Sequence, residues 1–297
     1  MANLSRRAVL RGAGVVALSM ATPAFSIEIR DVSLDLLGHD TATHRFEERH
    51  HDTADGRRYR IFLALPTAAA PAGGRPIIYM LDGNAAFAAL TPEQLAEHPN
   101  LIVATIGYDG DKAFDVNARS RDYTPPLPGQ TAPVTDPQRP ERLMGGAPAF
   151  LETLTGDLRT AIEAGLSVDP QRRTLWGHSY GGLFTAYALL TQPDAFNAYA
   201  PTSPSLGWGD GVMEQVEAAA KPHTGTPANV LVLLGDMESR SGQPKLETPR
   251  PSPYTMSFIE RLAQRDDLSV SSRVFEGAQH GQTFGLSLPL ALALADS

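Results

Sequence analysis

Apolar residues along this chain gather in short uninterrupted runs rather than in one long alternating series. Runs at 77–81, 101–107, 196–202 and 229–234 are bounded by polar or glycine-rich turns, as strands buried on both faces are. Arg172-Arg173-Thr174-Leu175-Trp176 reads as a further strand, and 269–275 as a last one. Between them the spacing turns helical. Phe150, Leu151, Leu154, Leu158 and Ile162 recur on one face of a helix predicted over 147–165. Helices are also predicted over 182–190, over 256–263 and at the C-terminus. The N-terminal part differs. Residues 26–35, 43–50 and 57–65 show partial alternation, with Tyr59, Ile61, Leu63 and Leu65 on one face of the third run. Strands alternating with helices predict an α/β fold: a mostly parallel central sheet covered on both faces, preceded by an antiparallel β portion.

In open sheets of this kind ligands bind at the carboxyl ends of the strands. Asp82-Gly83-Asn84, Ser179, Asp236, Glu238 and His280 all follow predicted strands directly. Ser179 stands in Gly177-His178-Ser179-Tyr180-Gly181, between the 172–176 strand and the next helix. Strand, G-x-S-x-G, helix is the nucleophile elbow of α/β-hydrolases. The turn is tight enough to need small residues on either side of the serine, and it lifts the hydroxyl above the sheet. With 26 glycines in 297 residues, the five-residue pattern alone arises by chance in roughly one such chain in ten. The flanking strand and helix are what give it weight.

A serine hydroxyl is a weak nucleophile and needs a base beside it. His280 is the natural base, because the chain order serine, acid, histidine is that of α/β-hydrolases. Glu238, three residues past Gly235, is the favoured acid, and Asp236 is its rival or a turn cap. Two preorganised N–H donors are needed for an oxyanion. Tyr180 N–H is assigned as one and Asn84 N–H as the other. Against these stand plainer readings: Asp82-Gly83-Asn84 as an ordinary turn, His280 as a loop histidine, and His178 as a structural residue or pocket wall. His44, His50 and His51 lack partners at ligand spacing, so a solvated strand face is expected there and no metal or organic cofactor.

Composition narrows the setting. With no cysteine, thiolate chemistry, disulfides and Cys-ligated metals are excluded. Ser5-Arg6-Arg7-Ala8-Val9-Leu10 fits the twin-arginine export pattern. An apolar core at 12–20 and small residues near Ala24 and Ser26 follow. Residues 1–26 are therefore expected to be a cleaved export signal recognised by the twin-arginine machinery. Residues 27–297 would then be one periplasmic domain with no stable membrane anchor. Net charge is −8, and removing a signal with three arginines leaves about −11, the wrong sign for a general nucleic-acid binder. Six prolines crowd residues 124–140, a stretch open to reading as a lid.

Several further elements occur in one order: Tyr79-Met80-Leu81-Asp82-Gly83-Asn84, Arg119-Ser120-Arg121-Asp122-Tyr123-Thr124-Pro125, Gly145-Gly146-Ala147, Gly177-His178-Ser179-Tyr180-Gly181-Gly182, Ser203-Pro204-Ser205-Leu206 and Gly277-Ala278-Gln279-His280-Gly281. The set resembles the esterase family that includes periplasmic ferric-siderophore esterases, from residue 57 or so to the end. The resemblance implies an α/β-hydrolase fold and cleavage of ester bonds in a trilactone carrying catechols, a small-molecule substrate. It also implies that Arg119 holds an anionic iron-catecholate, with Arg121 nearby. A loop-ordering salt bridge from Arg119 to Asp122 or another acid stands equal to that. Some relatives work with a Ser–His pair and no placed acid. Gly207 departs from the bulkier residue common in relatives, which would reshape the pocket. A broad periplasmic carboxylesterase, an acyltransferase and a catalytically lapsed siderophore binder are the alternatives.

Overall fold

The computed structural model describes residues 31–137, 139–239 and 244–297. The expected export signal at 1–26 and its cleavage site lie outside the described residues. Strands β1 (His44–Asp52), β2 (Arg58–Pro66), β3 (Arg75–Leu81) and β4 (Ile102–Tyr108) come first. A small hairpin follows, β5 (Val134–Asp136) with β6 (Arg139–Met144). The main sheet is completed by β7 (Val168–His178), β8 (Ala198–Thr202), β9 (Ala228–Gly235) and β10 (Leu268–Phe275). Its order is β1-β2-β4-β3-β7-β8-β9-β10. The pairs β1–β2 and β2–β4 are antiparallel and all other neighbours are parallel. The fold is thus an α/β-hydrolase sheet with an antiparallel N-terminal edge.

Helices cover both faces because the central strands are apolar on both. All residues of β3 and β4 are buried. Successive residues of β2 and β7 alternate between two cores: Tyr59, Ile61, Leu63 and Leu175 on one side, Phe62, Ala64 and Trp176 on the other. Helices α1 (Gly83–Ala89) and α2 (Pro92–Ala96) connect β3 to β4, and α3 (Val116–Tyr123) precedes the hairpin. Next come α4 (Ala147–Thr155), α5 (Asp157–Glu163), α6 (Tyr180–Thr191), α7 (Val212–Ala218), α8 (Pro253–Leu262) and α9 (Gln282–Asp296). Helices α4 to α8 pack into the first core, and α1, α2 and α9 into the second. Trp176, fully buried, meets Phe284 of α9 edge-on at 5.2 Å and donates to Ser287 Oγ at 3.2 Å. Truncating it to alanine would cost about 3–5 kcal/mol and loosen the helix that follows His280.

Several expectations are corrected. The helix expected over 147–165 is two, because the chain turns at Gly156 (φ −103°, ψ −108°). The strand expected over 26–35 is not one among its described residues: Asp31 makes a lone bridge to Lys112, and 35–38 form a 3-10 turn. Asp82-Gly83-Asn84 is the start of α1 rather than an open loop. His44 is fully buried rather than solvated, with Nε2 3.0 Å from the Leu101 carbonyl; burial pushes its imidazole pKa down. The proline-rich stretch runs into the β5–β6 hairpin, which lies beside α3.

Candidate active site

The strand order reverses between β3 and β7, since β4 lies on one side of β3 and β7 on the other. Crevices form at such points on the carboxyl edge. Ser179 sits there, between the end of β7 and the start of α6. Its backbone is held at φ 59°, ψ −112°, a region that costs a non-glycine residue of order 1–3 kcal/mol. The turn persists because its surroundings fix it. Ser179 N–H donates to the Thr202 carbonyl at 3.0 Å, and its own carbonyl accepts from Leu183 and Ser205 N–H. A Cβ at Gly177 would lie 2.4 Å from the Gly181 backbone, and one at Gly182 2.5 Å from Thr202 O. Neither glycine is replaceable without moving the nucleophile turn.

His280 and Glu238 are brought to this serine from two other strand ends. His280 Nε2 lies 3.0 Å from Ser179 Oγ, and His280 Nδ1 lies 3.0 Å from Glu238 Oε2. The imidazole and carboxylate side chains are only 16% and 10% exposed, so their pairing is little screened by water. Burial alone would raise the Glu238 carboxyl. Hydrogen bonds from His280, Ser203 and Gly235, with the His280 charge, outweigh it and hold the group below its usual range. Glu238 Oε1 accepts from Ser203 Oγ and from Gly235 N–H, each at 2.6 Å.

Asp236, the rival acid, does not face the imidazole contact. Its Oδ1 accepts from Gly277 N–H at 2.7 Å, and Met237 N–H donates to Ala278 O at 3.1 Å. The two contacts staple the β9 end to the loop that carries His280.

Tyr180 opens α6 and Asn84 falls in the first turn of α1. N–H groups in the first turn of a helix have no intrahelical acceptor. The Asn84 nitrogen packs against Gly107 of β4, one strand beyond β3 from Ser179. The Asn84 side chain donates to the Gly110 and Lys112 carbonyls at 3.0 Å. Ser205 Oγ stands 3.5 Å from Ser179 Oγ.

The two arginines expected to hold an anion have other partners. Arg119 makes a bidentate pair with Asp82, Nε–Oδ1 2.8 Å and Nη2–Oδ2 2.9 Å. Its guanidinium lies 5.4 Å from the ring centres of Phe114 and Tyr180 and 5.8 Å from that of Tyr123. Burial works against the charge, but the Asp82 carboxylate more than offsets it and raises the guanidinium pKa. Arg121 pairs with Asp122, Nε–Oδ1 2.7 Å, and that carboxylate also accepts from Tyr59 and Tyr108 hydroxyls. Both carboxylates are 1% exposed. Arg119 thus makes a salt bridge of the loop-ordering kind, with Asp82 rather than Asp122 as partner.

Three residues in contact with this site carry no role in the sequence reading. Asp82 looks like a turn former, Ser203 belongs to an element quoted only for its resemblance, and Thr283 gives no signal at all. The first two follow predicted strands, and that position was the available cue.

This arrangement is that of the α/β serine hydrolases. Residues 53–288 match the family described as "Putative esterase", so the chain belongs to that esterase family and is a carboxylic ester hydrolase. Over 196 residues it is 37% identical to the apo-salmochelin esterase of Escherichia coli O6:H1 (strain CFT073), covering 64% of this chain and 61% of that protein. Over 256 residues it is 31% identical to the ferri-bacillibactin esterase BesA of Bacillus subtilis (strain 168), covering 81% and 84%. The solved structure of the enterobactin hydrolase IroE in complex with DFP superposes with a TM-score of 0.72 at 29% identity, covering 89% of this chain and 99% of that one.

Proposed function

We propose that the protein hydrolyses ester or lactone bonds of a siderophore trilactone in the periplasm, through an acyl-enzyme on Ser179. The observation that carries this reading is the hydrogen-bonded series Ser179–His280–Glu238, seated on a strained elbow. Relatives named as siderophore esterases support the substrate class.

In this mechanism Ser179 Oγ attacks the carbonyl carbon while His280 Nε2 takes the hydroxyl proton. Glu238 holds Nδ1–H and stabilises the imidazolium. The Tyr180 N–H at the head of α6 donates to the oxyanion. The second donor belongs to the leading turn of α1. Asn84 N–H is the assigned donor, in the turn whose N–H groups lack an intrahelical acceptor. His280 then protonates the leaving alkoxide and activates the water that clears the acyl group. No cofactor enters these steps; any iron arrives with the substrate.

One observation favours a second reading, a broad carboxylesterase for smaller or less charged esters. Arg119 and Arg121 are both neutralised by buried carboxylates, so neither supplies the free cation a ferric catecholate would attract. Incubating the protein with iron-loaded and iron-free enterobactin, and resolving products by mass, separates the readings. Linear trimer, dimer or monomer formed by the wild type and not by Ser179→Ala is the expected result. Hydrolysis of a small aryl ester with neither enterobactin form cleaved would favour the carboxylesterase. Tight binding with no product from any ester would favour a lapsed binder. The periplasmic location rests on residues 1–26; replacing Arg6 and Arg7 with lysine is expected to leave the protein in the cytoplasmic fraction.

A further inference from the structure

Behind the proposed serine, histidine and acid, three buried side chains from three different elements meet. His178 ends β7, Ser203 follows β8 and Thr283 stands in the first turn of α9; they are 1%, 1% and 0% exposed. Ser203 Oγ lies 2.6 Å from Glu238 Oε1 and 2.7 Å from Thr283 Oγ1. Thr283 Oγ1 lies 2.7 Å from the His280 carbonyl. His178 Nε2 lies 2.9 Å from that carbonyl and 3.1 Å from Thr283 Oγ1. Ser203 is itself held at φ 43°, a conformation a serine adopts only under constraint.

The hydrogens available limit how these contacts share donors. The two hydroxyls and one imidazole N–H supply three hydrogens for these contacts. An ionised Glu238 can only accept, so the Ser203 hydrogen goes to it. Thr283 Oγ1 donates to the His280 carbonyl at 2.7 Å and stands 2.7 Å from Ser203 Oγ. The same carbonyl lies 2.9 Å from His178 Nε2, which also reaches Thr283 Oγ1. Ser203 therefore donates to the acid, while Thr283 and His178 meet the backbone of His280.

We infer that Ser203, Thr283 and His178 are positioning residues for the acid and the base, an inference that rests on the reading of Glu238 and His280 above. Ser203 and Gly235 N–H occupy Glu238 Oε1, which turns Oε2 toward His280 Nδ1–H. Nδ1 keeps its hydrogen, and Nε2 faces Ser179 free to accept. His178 holds the other end of the arrangement by anchoring the His280 backbone. The Ser-Pro-Ser element thereby has a division of labour: Ser203 addresses the acid, and Ser205 lies beside the nucleophile.

None of these three side chains is exposed enough to touch substrate, so their loss is expected in kcat and not in KM. The test measures kcat, KM and melting temperature with p-nitrophenyl butyrate for Ser203→Ala, Thr283→Val and Thr283→Ser, and for Ser203→Ala in a Glu238→Ala background. Ser203→Ala and Thr283→Val are expected to lower kcat by about tenfold, the size of one hydrogen bond to a charged group, at unchanged KM. Thr283→Ser keeps the hydroxyl and is expected to restore kcat. In Glu238→Ala the Ser203 substitution is expected to change kcat by less than about twofold, because the residue it acts through is gone. Full kcat in Ser203→Ala, or the same tenfold loss repeated in the Glu238→Ala background, would overturn the inference. If Glu238→Ala itself kept wild-type kcat, the acid assignment would fall and this inference with it. A loss in Glu238→Ala with none in Ser203→Ala would remove the positioning chain alone.

Discussion

Two buried carboxylates flank the nucleophile turn, and they do opposite things. Asp82, past the end of β3, faces Arg119; Glu238, past the end of β9, faces His280. Both are almost free of water and both are hydrogen-bonded to a nitrogen partner. The Arg119 fork cannot lose its proton under any ordinary condition, so the Asp82 pair is a fixed strut. It holds Asp82 in the left-handed region (φ 53°, ψ 50°), and Arg119 also reaches the His178 carbonyl and the Tyr180 ring. The imidazole partner of Glu238 can gain and lose a proton. In the proposed mechanism the same carboxylate chemistry is a support on one side of Ser179 and part of a proton-handling series on the other. The partner's ability to titrate, rather than the position on the sheet edge, separates the roles.

Removing the titratable side has the largest expected effect on rate. Ser179→Ala or His280→Ala should lower kcat by on the order of 10⁴-fold or more with melting temperatures little changed, and Glu238→Ala by roughly 10³-fold with a modest loss of melting temperature. Steady-state kinetics with circular dichroism melts checks this. Breaking the fixed side should do the reverse. Arg119→Met leaves Asp82 buried without a countercharge, at a cost of about 3–5 kcal/mol, and should lower the melting temperature by on the order of 10 °C. Adding Asp82→Asn should recover most of that loss. If Arg119→Met instead melted like the wild type and only raised KM for a ferric trilactone, Arg119 would be a substrate contact and the contrast would fail.

A smaller effect follows from pH. The Glu238 carboxyl is held below the ordinary range, so its ionised form contributes stability above the unfolded value. That contribution is lost as pH falls through the lower folded value. Between about pH 5 and about pH 3 the wild type should therefore lose more melting temperature than Glu238→Gln, which has no proton to take up there. The smallest effect is expected at Gly207. A Cβ added there would meet only the Tyr254 ring, at 3.8 Å. Gly207→Ala should fold normally, within about 0.5 kcal/mol of wild type, and show its effect in KM for bulky esters.

How far these roles can be read without coordinates differs between the two sides. Ser179, Glu238 and His280 each follow an apolar run, so their common edge of the sheet is legible. What joins Glu238 to His280 and stations Asp236 as a staple is side-chain direction, which strand ends alone do not encode. The Arg119 pair is hidden for a plainer reason. Its partner lies 37 positions earlier, on another element, while Asp122 stands close by in the chain. Helix α3 escapes notice because Val116–Tyr123 is polar, with no apolar stripe. Thr283 and Ser203 are small hydroxyl residues whose meaning exists only where α9, β8 and β9 converge. The sheet is the most legible part, since continuous buried strands have few other readings, and Gly156 shows how one residue divides a helix that periodicity joins.

Covalent labelling tests the central claim most directly. The protein is treated with diisopropyl fluorophosphate, and intact mass and peptide mapping locate the adduct. One diisopropylphosphoryl group on Ser179, with esterase activity lost in proportion and no labelling of Ser179→Ala, is the predicted result. A label on Ser205, or full activity in a protein labelled at Ser179, would contradict the account.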